Sequence, residues 1–181
     1  MIESKEIYRP HTFMTANMNG WEAEERELRH VQGGNGRRLS GGTVGQKVLR
    51  WHRLRTMLKT NSVDVLAVQE HHYKQMEGES KKQAEERLEK GISKFKWIHW
   101  ESEATLADTP NSGLVTFWRK DKFKLVAKYE LEQRVLVTIL QDDDGVQWTV
   151  VNVHFHNDAG QRRMQWTMIK EKVPNIQKRK L

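Results

Sequence analysis

The sequence predicts a mixed α/β fold of the α+β kind, and three observations predict it. Val63, Val65, Leu66, Ala67 and Val68 form an apolar run broken only by Asp64 and ended by Gln69-Glu70, as in a strand covered on both faces. Apolar residues recur at helical spacing between Gln46 and Lys59, and Ser80 with Gln83 has the spacing of a capping box. Short apolar runs separated by turn-forming residues read as further strands.

The elements follow in order. Phe13 to Asn17 reads as a first strand closed by the turn-formers Asn17-Met18-Asn19-Gly20. Gly33 to Gly45 holds six glycines in thirteen residues and reads as a flexible loop. Val48, Leu49, Trp51, Leu54, Met57 and Leu58 mark the inner face of a helix that leads into the Val63–Gln69 strand. A second helix starts at Ser80 and is expected to stop at Gly91. Lys96 to Trp100 and Leu114 to Trp118 read as two strands with a loop between them, and Arg134 to Leu140 and Val146 to Val153 as two more. Asp142-Asp143-Asp144-Gly145 joins the last pair, because Asp and Gly tolerate the left-handed angles of a tight turn. A last helix spans Asp158 to Val173 and stops at Pro174. One domain over residues 1–173 with a basic tail over 174–181 is the expected organisation.

Composition narrows the function classes. With 36% hydrophobic and 30% charged residues the chain has the make-up of a globular protein. No run approaches the length of a membrane-spanning helix, and the first residues lack the basic-then-apolar plan of a secretory signal. Zero cysteines exclude disulfides and thiolate metal sites. An intracellular home, nuclear or cytoplasmic, is therefore expected. The net charge of +7 is concentrated: Arg162 to Leu181 carries seven Lys/Arg against one Glu, and Arg26 to Lys59 nine against one. Such clusters attract polyanions, nucleic acid first.

Nucleotide-cradling motifs are absent, since neither a Gly-Lys-Ser/Thr nor a Gly-x-Gly-x-x-Gly occurs. Polar residues instead gather at strand ends: Asn17 and Asn19, Gln69 and Glu70, Asn111 and Ser112, and Asn152, His154 and His156. Carboxylate and amide oxygens suit a hard divalent cation, amide N–H suits phosphate oxygens, and imidazole suits proton transfer. Trp118, Trp148 and Trp166 lie in apolar runs and read as core rather than as base-stacking platforms.

Thr15-Ala16-Asn17-Met18-Asn19-Gly20, Asp64-Val65-Leu66-Ala67-Val68-Gln69-Glu70, Asn111-Ser112-Gly113-Leu114-Val115 and Val151-Asn152-Val153-His154-Phe155 occur in this order. Together they resemble the endonuclease/exonuclease/phosphatase superfamily, which includes DNase I, exonuclease III-type enzymes, the endonucleases of LINE-type retrotransposons and inositol polyphosphate phosphatases. The resemblance implies a four-layered α/β/β/α sandwich of the DNase I-like type. It also implies Mg²⁺-dependent cleavage of phosphodiesters in nucleic acid, DNA before RNA, with Mn²⁺ as a substitute.

Carried over by residue, Glu70 matches the metal-binding Glu and Asn19 a second metal position. Asn17 matches the Asn that holds phosphate and metal, and His154 the general acid. Asn111, Ser112 and Arg162 fall at substrate-binding positions, and Gln165 follows in the same helix. The Gly-Asp-x-Asn motif and the terminal Asp-His pair of the family have no match in this chain. The resemblance thus covers the first two-thirds of the fold, and a complementing segment or chain is expected to supply the rest. The alternative is a catalytically inactive derivative that binds nucleic acid or a partner protein through its basic surface.

Overall fold

The computed structural model describes residues 11–17, 63–93, 99–109 and 112–173. The expected turn at 18–20, loop at 33–45, helix over 46–59, strand start at 96–98 and tail at 174–181 lie outside the described residues.

Among the described residues the chain has seven strands and two helices, in two sheets. The first sheet holds β1 (Phe13–Asn17), β2 (Val65–Gln69), β3 (Trp100–Thr105) and β4 (Leu114–Arg119) in the order β1-β2-β4-β3. β1 and β2 run parallel, and β4 is antiparallel to both of its neighbours. The second sheet is an antiparallel meander of β5 (Phe123–Leu131), β6 (Val135–Asp142) and β7 (Gln147–Val153).

Alternation along β2 explains its unbroken apolar sequence. Val65 packs with Trp118, Phe123 and Leu140, the last two from the second sheet, while Leu66 and Val68 pack on the other side with Ala84, Leu88 and Ile92. Those three belong to α1 (Lys81–Ser93). Successive side chains of a strand point to opposite faces, so a strand with apolar cover on both faces needs apolar residues at nearly every position. α2 (Ala159–Lys172) places Ile169, with Val173 just beyond its end, against Val135 and Val137 of β6. No described helix is long and apolar enough to cross a membrane.

Local chemistry sets the element ends. Ser80 Oγ accepts from Gln83 N–H at 3.3 Å and Gln83 Oε1 from Ser80 N–H at 2.8 Å, a reciprocal capping box. Asp158 Oδ1 accepts from Gln161 N–H at 2.8 Å and caps α2. In the β6–β7 turn Gly145 has φ +80°, and the Asp142 carboxylate takes N–H bonds from Val146 at 2.8 Å and the Trp148 indole at 2.7 Å. The carboxylate is thereby committed to the hairpin.

Four expectations are corrected. Gly91 does not stop α1, which continues to Ser93; the glycine is buried because the Tyr73 ring lies where its Cβ would be. Trp100 opens a strand instead of closing one, and 101–105 is β3, not loop. Glu101 and Glu103 are compatible with pairing because β3 is an edge strand. β5 is a nine-residue strand where none was expected. Trp166 is 47% exposed on α2, whereas Trp118 is buried.

Candidate active site at the carboxyl ends of the first two strands

Register brings the polar strand ends to one edge. Asn17 is level with Gln69, and Gln69 with Leu114, so the ends of β1 and β2 and the start of β4 coincide. β7 joins them from the other sheet through Asn152, whose Nδ2 donates to the carbonyls of Val68 at 3.1 Å and Val115 at 3.0 Å. Its Oδ1 accepts from Gln69 Nε2 at 2.9 Å, and Gln69 Nε2 also donates to Thr15 Oγ1 at 3.0 Å. A buried amide that satisfies three partners fixes the spacing of the two sheets at this end.

Just past β2 the backbone leaves the extended region, with φ +59° at Glu70 and +66° at His72. Side chains other than glycine adopt such angles at a cost of about 1 kcal/mol or more, which the surroundings must offset. The 112–113 strand entry does so: His71 N–H donates to Gly113 O at 3.4 Å and His72 N–H to Ser112 O at 3.0 Å. Between these two kinks His71 is buried. Its Nδ1 accepts from Tyr73 N–H at 3.0 Å and its Nε2 faces Thr105 O at 2.9 Å. Burial pushes its pKa down to about 4, so it is a neutral structural imidazole.

The turn aims Glu70 at two sequence-distant partners. Asn17 Nδ2 donates to Glu70 Oε1 at 2.7 Å, and His154 Nε2 lies 3.2 Å from the same oxygen. His72 Nε2 stands 3.8 Å from Glu70 Oε2. Behind His154 stands Arg134, whose NH1 faces His154 Nδ1 at 3.5 Å. A guanidinium has no acceptor, so Nδ1 accepts and the neutral ring carries its proton on Nε2, toward Glu70. Arg134 is in turn held by Asp108 Oδ2 at 2.8 Å and Thr109 Oγ1 at 3.1 Å. Burial would raise the Asp108 pKa, but hydrogen bonds from Ser112 and Arg134 outweigh it and leave the carboxyl below its ordinary range.

An open cleft of about 440 Å³ lies over this array, lined among others by Glu70, Arg134, His154, His156, Asp158 and Gln161. Of its carboxylates, Asp158 is engaged as the α2 cap, which leaves Glu70 as the donor best placed for a cation. Among the described residues no three or more His, Asp or Glu side chains group as a metal site. A carboxylate and an amide offer the oxygen donors that a hard divalent cation takes, rather than the nitrogen set of a histidine-rich transition-metal cage.

The structure thus brings Asn17, Glu70 and His154 together. Asn19 and Asn111 lie outside the described residues. Ser112 is buried, and its hydroxyl binds the Asp108 carboxylate while accepting from the N–H groups of Asp108 at 3.0 Å and Thr109 at 3.1 Å. It therefore acts on the cleft through Asp108 and Arg134. Arg162 donates to the His156 carbonyl at 3.1 Å and to that of Asn157, and borders a neighbouring hollow instead of the cleft. Gln165 is buried, and its Oε1 accepts from His156 N–H at 2.9 Å. Arg134 and His72 went unnoticed in the sequence. Arg134 had a legible signal, a charged residue opening an apolar strand whose hairpin register places it beside His154.

No family model matches this sequence, and no curated protein matches it. Among solved structures, humanized D. rerio TDP2 carrying 14 mutations is similar at 15% sequence identity and a TM-score of 0.45, over 68% of this chain and 49% of that one. The chain spans about half the length of that structure.

Proposed function

We propose that this chain is a Mg²⁺-dependent phosphodiesterase of the DNase I-like type acting on nucleic acid, DNA before RNA. In this reading the two packed sheets, with α1 on one and α2 on the other, are the four layers of an α/β/β/α sandwich. The observation that carries the proposal is the convergence of Asn17, Glu70 and His154, the first and last 137 positions apart in sequence, within hydrogen-bond reach of one carboxylate oxygen.

Each residue then has a role. Glu70 and the Asn17 amide would hold Mg²⁺, which when bound stabilises developing charge on phosphate oxygens. The Asn17 amide N–H also suits a phosphate oxygen once substrate displaces it from Glu70. His154 turns its Nε2–H to the leaving oxygen as a hydrogen-bond donor that stabilises developing charge, with Arg134 holding the opposite nitrogen as acceptor. Asn19 and Asn111 remain in the proposal as the second metal position and a substrate-side residue, while Ser112 serves through Asp108 and Arg134 and Arg162 from the neighbouring hollow. The group that activates water is assigned to a complementing segment or chain.

The test is plasmid nicking by the purified protein with Mg²⁺ and with chelator, beside Glu70→Gln. Metal-dependent nicking that disappears in the variant is the expected result. Nicking that survives the substitution would sink the proposal.

A further inference from the structure

The outward face of α2 carries a feature the cleft chemistry does not use. Ala159, Arg162, Arg163, Trp166 and Lys170 recur at three- and four-residue spacing and so form one stripe. Gln165, Ile169 and Val173 make the adjacent, buried stripe. Trp166 is 47% exposed. Its ring meets Phe155 edge to face at a centroid distance of 6.4 Å, and Lys170 Nζ lies 5.4 Å from its centroid. Phe155, Ala159, Arg162, Arg163 and Trp166 border a shallow hollow of about 350 Å³.

Two further facts give the hollow an orientation and a charge. Phe155 borders both this hollow and the Glu70–His154 cleft, so the two lie on either side of one side chain. Arg162 is fixed by its bonds to the carbonyls of His156 and Asn157, while Arg163 has no acidic partner among the described residues.

We infer that this hollow is a binding subsite for an unpaired nucleobase of a single-stranded nucleic acid, with Trp166 as the stacking platform and Arg162 and Arg163 on the flanking phosphates. The inference rests on the proposed phosphodiesterase reading for its direction, since the strand would run from the hollow across Phe155 into the cleft. Exposed aromatic faces interleaved with arginines are the combination that single strands require, because every base offers a face to stack and every linkage a negative charge. A protein partner would use the same apolar surface but has no particular need of the two arginines. A duplex keeps its bases stacked on one another and out of reach of the indole.

Binding is measured by fluorescence anisotropy of a labelled oligo-deoxythymidine twelve-mer and of a blunt duplex of the same length, in chelator so that cleavage does not enter. Trp166→Ala is expected to weaken binding of the single strand about tenfold or more, Trp166→Phe to restore most of it, and duplex binding to change little. Arg163→Gln is expected to reduce the salt dependence of single-strand binding by about one phosphate contact. Circular dichroism and thermal melting establish that each variant is folded. Equal affinities of wild type and folded Trp166→Ala overturn the inference, as does an equal loss for duplex. Self-association by sedimentation that Trp166→Ala abolishes, with single-strand affinity retained, overturns it in favour of a protein contact. Trp166-dependent binding by a chain whose nicking survives Glu70→Gln would leave the subsite standing and the phosphodiesterase reading overturned.

Discussion

Arg134 and His154 are neighbours across the β6–β7 hairpin, joined by a backbone bond from His154 N–H to Arg134 O of 2.9 Å and by the 3.5 Å approach of guanidinium to Nδ1. One imidazole nitrogen therefore faces a permanent cation and the other, 3.2 Å from Glu70, a carboxylate.

Replacing Arg134 by Met would remove the donor that keeps Nδ1 an acceptor while conserving most of the packing. Cleavage is expected to fall about 10- to 100-fold, in line with the loss of an outer partner that orients a catalytic ligand. Nitrogen chemical shifts of His154 in the folded protein are expected to move from a single Nε2–H form toward a mixture. An unchanged tautomer would refute the positioning role whether or not the chain cleaves DNA.

Asn152 makes a prediction about architecture. Asn152→Leu would leave the carbonyls of Val68 and Val115 without their side-chain donor and deprive Gln69 of an acceptor. Buried polar groups without partners cost about 1–3 kcal/mol each. Because other bonds persist around them, a loss of about 2–3 kcal/mol in urea unfolding is expected. A loss under about 0.5 kcal/mol would mean that apolar contact alone holds the sheets together here.

What could be read from residues and what could not divide along physical lines. β2, β4 and β7 announced themselves because their interiors are apolar, and the α2 N-terminus because Asp158 caps it. β5 was legible in principle, since Phe123, Leu125, Ala127, Tyr129 and Leu131 alternate with Lys124, Lys128 and Glu130; Val126 breaks the alternation and the charges hid it. β3 was not legible, because its Glu101 and Glu103 are allowed only by its place at a sheet edge, which is a property of the assembled fold. The same holds for Trp166, whose exposure depends on which face of α2 the second sheet takes. The meeting of Asn17, Glu70 and His154 was expected from strand ends, whereas the Asp108–Arg134 support behind it depends on side-chain packing that no spacing encodes.

Gly91 separates intrinsic preference from packing. In an exposed helix interior Gly→Ala stabilises by about 0.8–1 kcal/mol. Here a Cβ would lie 2.5 Å from the Tyr73 hydroxyl oxygen and 2.8 Å from the ring carbon that bears it, and Tyr73 is itself buried against α1. Gly91→Ala is therefore expected to destabilise by about 1–3 kcal/mol, the range for overpacking. Stabilisation in thermal or urea unfolding would show that the ring moves aside freely.

Acid sensitivity should arise first at His71. Its protonated form would put a donor against the Tyr73 N–H and a charge into the core, and burial accordingly lowers its pKa from 6.5 to about 4. The unfolded chain then binds more protons than the folded one below pH 6.5, so stability falls as pH drops through that value and levels off below about 4. The loss is on the order of 3 kcal/mol. Asp108, Asp121 and Asp142 have pKa values depressed below the ordinary 3.8, so their stabilisation is present above that range and is lost only in stronger acid. Glu130, whose carboxyl burial raises above 4.5, takes up its proton inside the window between pH 6.5 and 4 and acts in the opposite sense, so the loss there is assigned to His71 by the titration of its own ring. Urea unfolding at steps across that window, with an NMR titration of the His71 ring in the folded state, checks both halves of the argument. Constant stability across the window, with His71 titrating near 6.5, would show that the ring is open to water and that the turn between Glu70 and His72 is held by other contacts.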